Sequence, residues 1–154
     1  MTVLIAFQLG SSLLYYPYYF TYKNPFVKHG GIHGYGEGLD QAAEYLAQKT
    51  NPKGLRVVAY AARGCFSYFF PGESDLLKIG LHEGGLPYVE GLETFDYLVL
   101  YPIRQNDKED GSGLMRVLQE VSPEHTIVID EIEYVRIYRI ADLPKEIYNV
   151  LLVK

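Results

Sequence analysis

LRVVAYA, residues Leu55 to Ala61, decides the fold. Its nearly continuous apolar character is the pattern of a strand covered on both faces. A second run of the same kind, FDYLVLY, follows at Phe95 to Tyr101. Further along, HTIVIDEIEYVRIYRI, His125 to Ile140, is strongly β-forming and alternates in character, which predicts a hairpin turning near Asp130 and Glu131. Upstream, Leu39 to Lys49 sets Leu39, Ala42, Ala43, Leu46 and Ala47 on one stripe, so a helix is expected there. Asn51, Pro52 and Gly54 stop it.

Between these elements the chain predicts a turn at Arg63-Gly64-Cys65 and an aromatic patch from Phe66 to Phe70, closed by Pro71-Gly72. A short strand over Asp75 to Ile79 and a helix over Leu86 to Leu92 follow. Arg104 to Gly113 is polar and exposed, and Leu114 to Val121 forms a short helix ended by Ser122-Pro123. The tail, Ile147 to Val153, reads as an edge strand or an apolar segment packed on the core. The expected fold is α/β: a small, mostly parallel sheet flanked by helices, with a C-terminal β-hairpin. The runs at 55–61 and 95–101 should be neighbouring central strands, with the hairpin in the same sheet.

At 154 residues the chain has the size of one domain and can bury a good core. A hydrophobic content of 48% with 21% charged residues is ordinary for a globular protein. The unusual feature is 15 Tyr against no Trp. A formal net charge of -5 and the lack of any basic block argue against a surface for nucleic-acid phosphates. The single cysteine, Cys65, excludes an internal disulfide.

Much of the tyrosine excess sits in YYPYYFTYKNPFVKHGGIHGYGEGLD, Tyr15 to Asp40. The uncharged stretch TVLIAFQLGSSLL, Thr2 to Leu14, precedes it and is shorter than the roughly 20 apolar residues of a complete span. Tyr15, Tyr16, Tyr18, Tyr19, Phe20 and Tyr22 suit a membrane–water interface, where the ring stays apolar and the hydroxyl wet. A sugar-stacking platform or ordinary core are the other readings of these rings. Residues 1–33 are accordingly expected to form an apolar and aromatic membrane-proximal segment, and residues 34–154 a single α/β domain. Outside lipid, residues 2–22 are expected to be covered by self-association.

YPYYFTYKNP at 16–25 followed by HGYGEGLDQAAEYL at 33–46 resembles the junction between the last membrane helix and the soluble domain of glycosyltransferase family 39. These are protein O-mannosyltransferase-like enzymes that move a sugar from a polyprenyl-phosphate carrier. The likeness continues more weakly to about Ala141. The resemblance implies an extracytoplasmic, non-catalytic C-terminal domain, because the family's membrane helices and its acidic catalytic loop have no counterpart here. It implies as partners the membrane portion of the parent enzyme, the membrane surface, and a glycan or polyprenyl-phosphate sugar, with no transferase activity in this chain alone. No catalytic residue, metal or cofactor is assigned.

The residues themselves offer further constellations. Gly34-Tyr35-Gly36-Glu37-Gly38 departs from a nucleotide loop, which needs G-x-G-x-x-G directly after a strand. An anion at the start of the Leu39 helix would meet Glu37 and Asp40, and Asp40 more simply complements the helix dipole or caps it. His29 and His33 lie among glycines without further ligands, and His82-Glu83 lacks the second His of a zinc-protease motif. The carboxyl ends of parallel strands form the usual ligand crevice of an open α/β sheet. That rule nominates Arg63, Ser67 and Tyr68 after the first strand and Arg104 and Gln105 after the second, with Tyr35 and Glu37 from the glycine loop. A free-standing α/β domain that binds a small ligand, with Thr2 to Leu14 in its core, is the alternative to the membrane reading.

Overall fold

The computed structural model describes residues 2–13, 16, 36–60, 63–77, 79–81, 87–89, 91–101, 118 and 120–145. The exposed loop expected at 104–113, the tail at 147–153, the junction at 33/34 and most of the helix expected at 114–121 lie outside them. Leu118 and Glu120 of that last element are helical.

The described elements are α1 (Thr2–Leu13), α2 (Leu39–Ala47), β1 (Arg56–Tyr60), α3 (Arg63–Phe69), β2 (Glu73–Leu76), β3 (Ile79–Leu81), β4 (Pro87–Val89), β5 (Tyr97–Leu100), β6 (His125–Ile129) and β7 (Ile132–Arg139). Five strands form one mixed sheet in the order β2-β1-β5-β7-β6, and β3 pairs with β4 in a separate ribbon. β1 runs parallel to both neighbours, with Val57 beside Ser74 on one side and Tyr97 on the other. β7 is antiparallel to β5 and to β6. The two apolar runs are thus adjacent, and the hairpin extends the sheet from β5.

Both faces of the sheet are covered. On one, Val57, Ala59, Val99 and Ile137 pack under Leu39, Ala42, Ala43 and Leu46 of α2 and Phe66 of α3. On the other, Val58, Leu98, Leu100 and Tyr138 meet Leu77, Leu92, Leu118, Ile140 and Leu143. The Tyr138 hydroxyl donates to the Leu118 carbonyl at 3.0 Å, which satisfies its one polar atom inside that layer. Alternate residues of β1 and β5 serve opposite layers, which is why their sequences read as unbroken apolar runs.

Three local readings need correction. Arg63-Gly64-Cys65 is not a turn but the first part of α3, and the aromatic patch is its continuation. Phe66 and Phe70, four apart, stack at 5.1 Å and are both buried, so the rings form the helix's inward stripe. Residues 87–89 form a strand rather than a helix, paired through Gly80 with Tyr88. The strand expected from Asp75 begins earlier, at Glu73, and ends at Leu76.

The hairpin turns at Asp130 and Glu131, both with positive φ (50° and 65°). That is the backbone of a two-residue turn whose twist matches the strands it joins.

At the amino-terminal end of the sheet, Lys49 Nζ donates to Glu124 Oε1 at 2.5 Å and to the Tyr45 hydroxyl at 2.9 Å. Tyr45 donates to the same carboxylate at 2.8 Å and stacks on His125 with centroids 4.1 Å apart. Burial pushes the Glu124 carboxyl up, but the hydrogen bonds from Lys49 and Tyr45 outweigh it and hold the group below the ordinary carboxylate range. A carboxyl lowered in the fold stabilises above its unfolded value and loses that contribution as the pH falls through its folded one. Glu124→Gln should therefore cost about 1 kcal/mol at neutral pH, as a partly exposed pair does, and nothing in acid. Urea unfolding at the two pH values measures this, and an equal loss at both would disprove the assignment.

The helix α1 stands apart from this core. Ile5, Phe7, Leu9 and Leu13 are all more than half exposed, as is Tyr16 beyond it. Among the described residues no helix is long and apolar enough to cross a membrane.

Candidate functional site

β1 leads through α3 to β2 on one side, while β5 joins its other side. The carboxyl ends of β1 and β5 therefore flank the point where the strand order reverses, the usual crevice of an open α/β sheet. Tyr101, directly after β5, lies there with no exposed surface. The segment leading into α2, Gly36, Glu37 and Gly38, lies at the same place. Gly36 donates its N–H to the Tyr101 hydroxyl at 3.2 Å, and that hydroxyl donates to Glu37 Oε2. Burial, reinforced by the bond to Glu37, pushes the Tyr101 phenol well above its usual range.

Glycine is required at two positions of this junction. Gly36 has φ 104°, and a Cβ there would sit 2.9 Å from Cys65 Sγ. Gly38, at φ 79°, would place a Cβ 3.0 Å from Ile127 Cγ2. The glycine-rich loop thus serves a left-handed helix entry against α3 and β6. α2 has no side-chain cap hydrogen bond, and Asp40 lies in its first turn, on the favourable side of the dipole.

The nominated residues part company here. Glu37 is at the crevice, but it is only 3% exposed and its carboxylate is held by Tyr101. Arg63 opens α3 and sends its Nε to the Ser74 carbonyl at 3.1 Å, on the far side of β1. The Ser67 hydroxyl donates within α3, to the Gly64 carbonyl at 3.2 Å. Tyr68 is 83% exposed and meets Phe69 edge-on at 4.9 Å. Tyr35, Arg104 and Gln105 lie outside the described residues, as do Tyr15, Tyr18, Tyr19, Phe20 and Tyr22 of the aromatic segment. Among the described residues no group of three His, Cys, Asp or Glu side chains is arranged to hold a metal ion.

One open concavity among the described residues lies at the β2 margin, and of its lining the sequence nominates Arg63 alone. A groove of about 300 Å³ is lined by Arg56, Arg63, Glu73, Ser74, Asp75 and Phe95. Arg56 lies over the Phe95 ring at 5.0 Å, donates from Nη1 to the Thr94 carbonyl at 2.9 Å, and pairs with Glu73 at 3.7 Å. Its backbone N–H is held by Asp96 Oδ2 at 2.8 Å. Asp75 Oδ1 accepts the Leu76 N–H at 2.8 Å. The signal was present: Glu73 sits directly beside Arg56 in the parallel register, and Asp75 is the next residue on the same face. Reading it required knowing that β2 pairs with β1.

A second groove, of about 280 Å³, includes Pro123, Thr126, Glu133 and Arg136 in its walls. There the guanidinium is already paired with Glu133.

No protein-family model matches the chain, and no curated protein or solved structure matches it.

Proposed function

We propose that this chain is the extracytoplasmic C-terminal domain of a polyprenyl-phosphate-sugar-dependent membrane glycosyltransferase resembling family 39. In this reading it carries no catalytic centre, and it supports the membrane helices of the parent or helps admit the acceptor to them. The observation that carries the proposal is α1. It has no charged residue, and its Ile5, Phe7, Leu9 and Leu13 face outward rather than into the α/β core. At 1.5 Å per residue such a helix covers about 18 Å, roughly 60% of a hydrocarbon layer about 30 Å thick. It leads into the tyrosine-rich stretch, in the order that a membrane interior and then its interface would select. Supporting this further, the domain from Gly36 onward closes its core among the described residues without α1.

Flotation with zwitterionic phospholipid vesicles tests the reading. The chain is expected to float with lipid, and in lipid-free buffer to self-associate through residues 2–22, as read by light scattering. Phe7→Asp and Leu9→Asp should each weaken partitioning by at least about tenfold, since each removes a side chain whose burial is worth roughly 1.5–3 kcal/mol. A chain that stays in the aqueous fraction whatever the substitution would refute the membrane role. It would favour the second reading, a free-standing α/β domain for a small ligand, for which the groove beside Arg56 is the supporting observation.

A further inference from the structure

We propose that the groove at the β1–β2 margin is a binding site for a neutral saccharide. This holds whether or not α1 enters a membrane, because none of the groove residues belongs to α1.

The argument starts from charge. The lining holds two guanidiniums, Arg56 and Arg63, and two carboxylates, Glu73 and Asp75. Opposite charges in equal number do not concentrate a phosphate or any other anion. They do form a lattice of strong donors beside strong acceptors. A sugar hydroxyl both donates and accepts, so vicinal hydroxyls can bridge a guanidinium N–H and a carboxylate oxygen at once. Ser74 and Phe95 complete the surface with a polar and an apolar element.

Arg56, Arg63 and Asp75 are also held before any ligand arrives, while Glu73 is largely exposed. Arg56 is fixed by the Thr94 carbonyl, the Phe95 ring and Glu73. Among the described residues Arg63 is fixed through Nε, which leaves its two terminal amino groups to donate elsewhere. Asp75 is held through Oδ1, with Oδ2 left as an acceptor. Ordering such side chains at the moment of binding costs conformational entropy, a cost that anchored groups largely avoid. The volume of about 300 Å³ lies at the small end of ligand sites and suits one or two sugar rings rather than a cofactor.

Amide NMR of the full chain tests the proposal, with mannobiose, chitobiose and maltose as probes and inorganic phosphate as the anion control. A neutral disaccharide is expected to shift the amides of Arg56, Arg63, Ser74 and Asp75 in a saturable way. Arg63→Gln and Asp75→Asn should each weaken that binding by about tenfold, as loss of a hydrogen bond to a charged group does. The same spectra show that each variant is folded. Saturation by phosphate but by no sugar, shifts confined to other regions, absence of any saturable shift, or sugar binding unchanged in both variants would each overturn the assignment.

Discussion

Above about pH 10 the domain is expected to lose stability at up to about 5 kcal/mol per pH unit. Four tyrosines carry this effect: Tyr97, Tyr101, Tyr134 and Tyr138 are all at least nine-tenths buried. Burial is the first cause in each case, and it pushes all four phenols above their ordinary value. In Tyr101 the bond to Glu37 adds to it, while in Tyr138 the neighbouring Arg136 works against it. A group whose value is raised in the fold contributes fully below its unfolded value and loses that contribution as the pH rises. Each phenol adds about 1.4 kcal/mol per pH unit once its unfolded counterpart has ionised. Against a total of about 5–15 kcal/mol, even part of this slope is a large loss. Lys49, also raised, through its bonds to Glu124 and Tyr45, adds to the same trend. Urea unfolding from about pH 8 to about pH 12, with tyrosinate absorbance followed in parallel, measures both slope and cause. Tyr101→Phe should reduce the slope by about a quarter, because one of the four phenols is removed. A stability that stays level across this range would show that the rings do not need to remain neutral in the fold.

Phe66→Ala should be the most damaging single truncation on the helical layer, at about 3–5 kcal/mol. Phe66 is the one buried residue of α3 and has no exposed surface, while its ring stacks on Phe70. The remaining residues of that helix, Arg63 to Phe69, are exposed. Removing the ring takes away the anchor as well as the volume, so α3 should lose its protection from amide exchange ahead of the sheet. Tyr68→Ala, two positions along and 83% exposed, should change stability by no more than about 0.5 kcal/mol. Denaturant unfolding of the two variants checks the contrast. Equal losses would mean that α3 is not held through Phe66.

The parts of this fold that sequence reveals are those where burial writes a regular pattern. β1 and β5 lie at the centre of the sheet with both faces covered, so Val57 to Ala59 and Tyr97 to Leu100 admit only apolar side chains. In the hairpin β6 lies at an edge, with Ile127 buried and Val128 exposed, while β7 buries both faces at Tyr134 and Val135. α2 buries one stripe and shows it. α3 is short and buries a single residue, so it presents aromatic content without a readable period. β4 starts at Pro87, and three residues of a two-stranded ribbon give too little alternation to tell from a helix turn. The groove was hidden for a different reason. Arg56 and Glu73 become neighbours only through a parallel pairing, and nothing local in either segment announces that register. Arg63 was nominated for the carboxyl-end crevice, and its position after β1 justified that. Its side chain nevertheless turns to β2, where among the described residues no further strand pairs with the Ser74 carbonyl.

That contact also governs what the sheet does among copies of itself. Glu73 and Leu77 direct their N–H groups to β1, at Leu55 and Ala59, so the backbone groups of Ser74 and Leu76 turn to the open margin. Arg63 occupies the outward carbonyl of Ser74, and Asp75 occupies the outward N–H of Leu76. A foreign strand seeking lateral addition must first displace both, each bond worth about 0.5–1.5 kcal/mol. It must also approach a fixed guanidinium, the kind of obstacle that keeps natural sheet edges from templating fibres. Crowded copies of the chain can then collide through β2 and separate again.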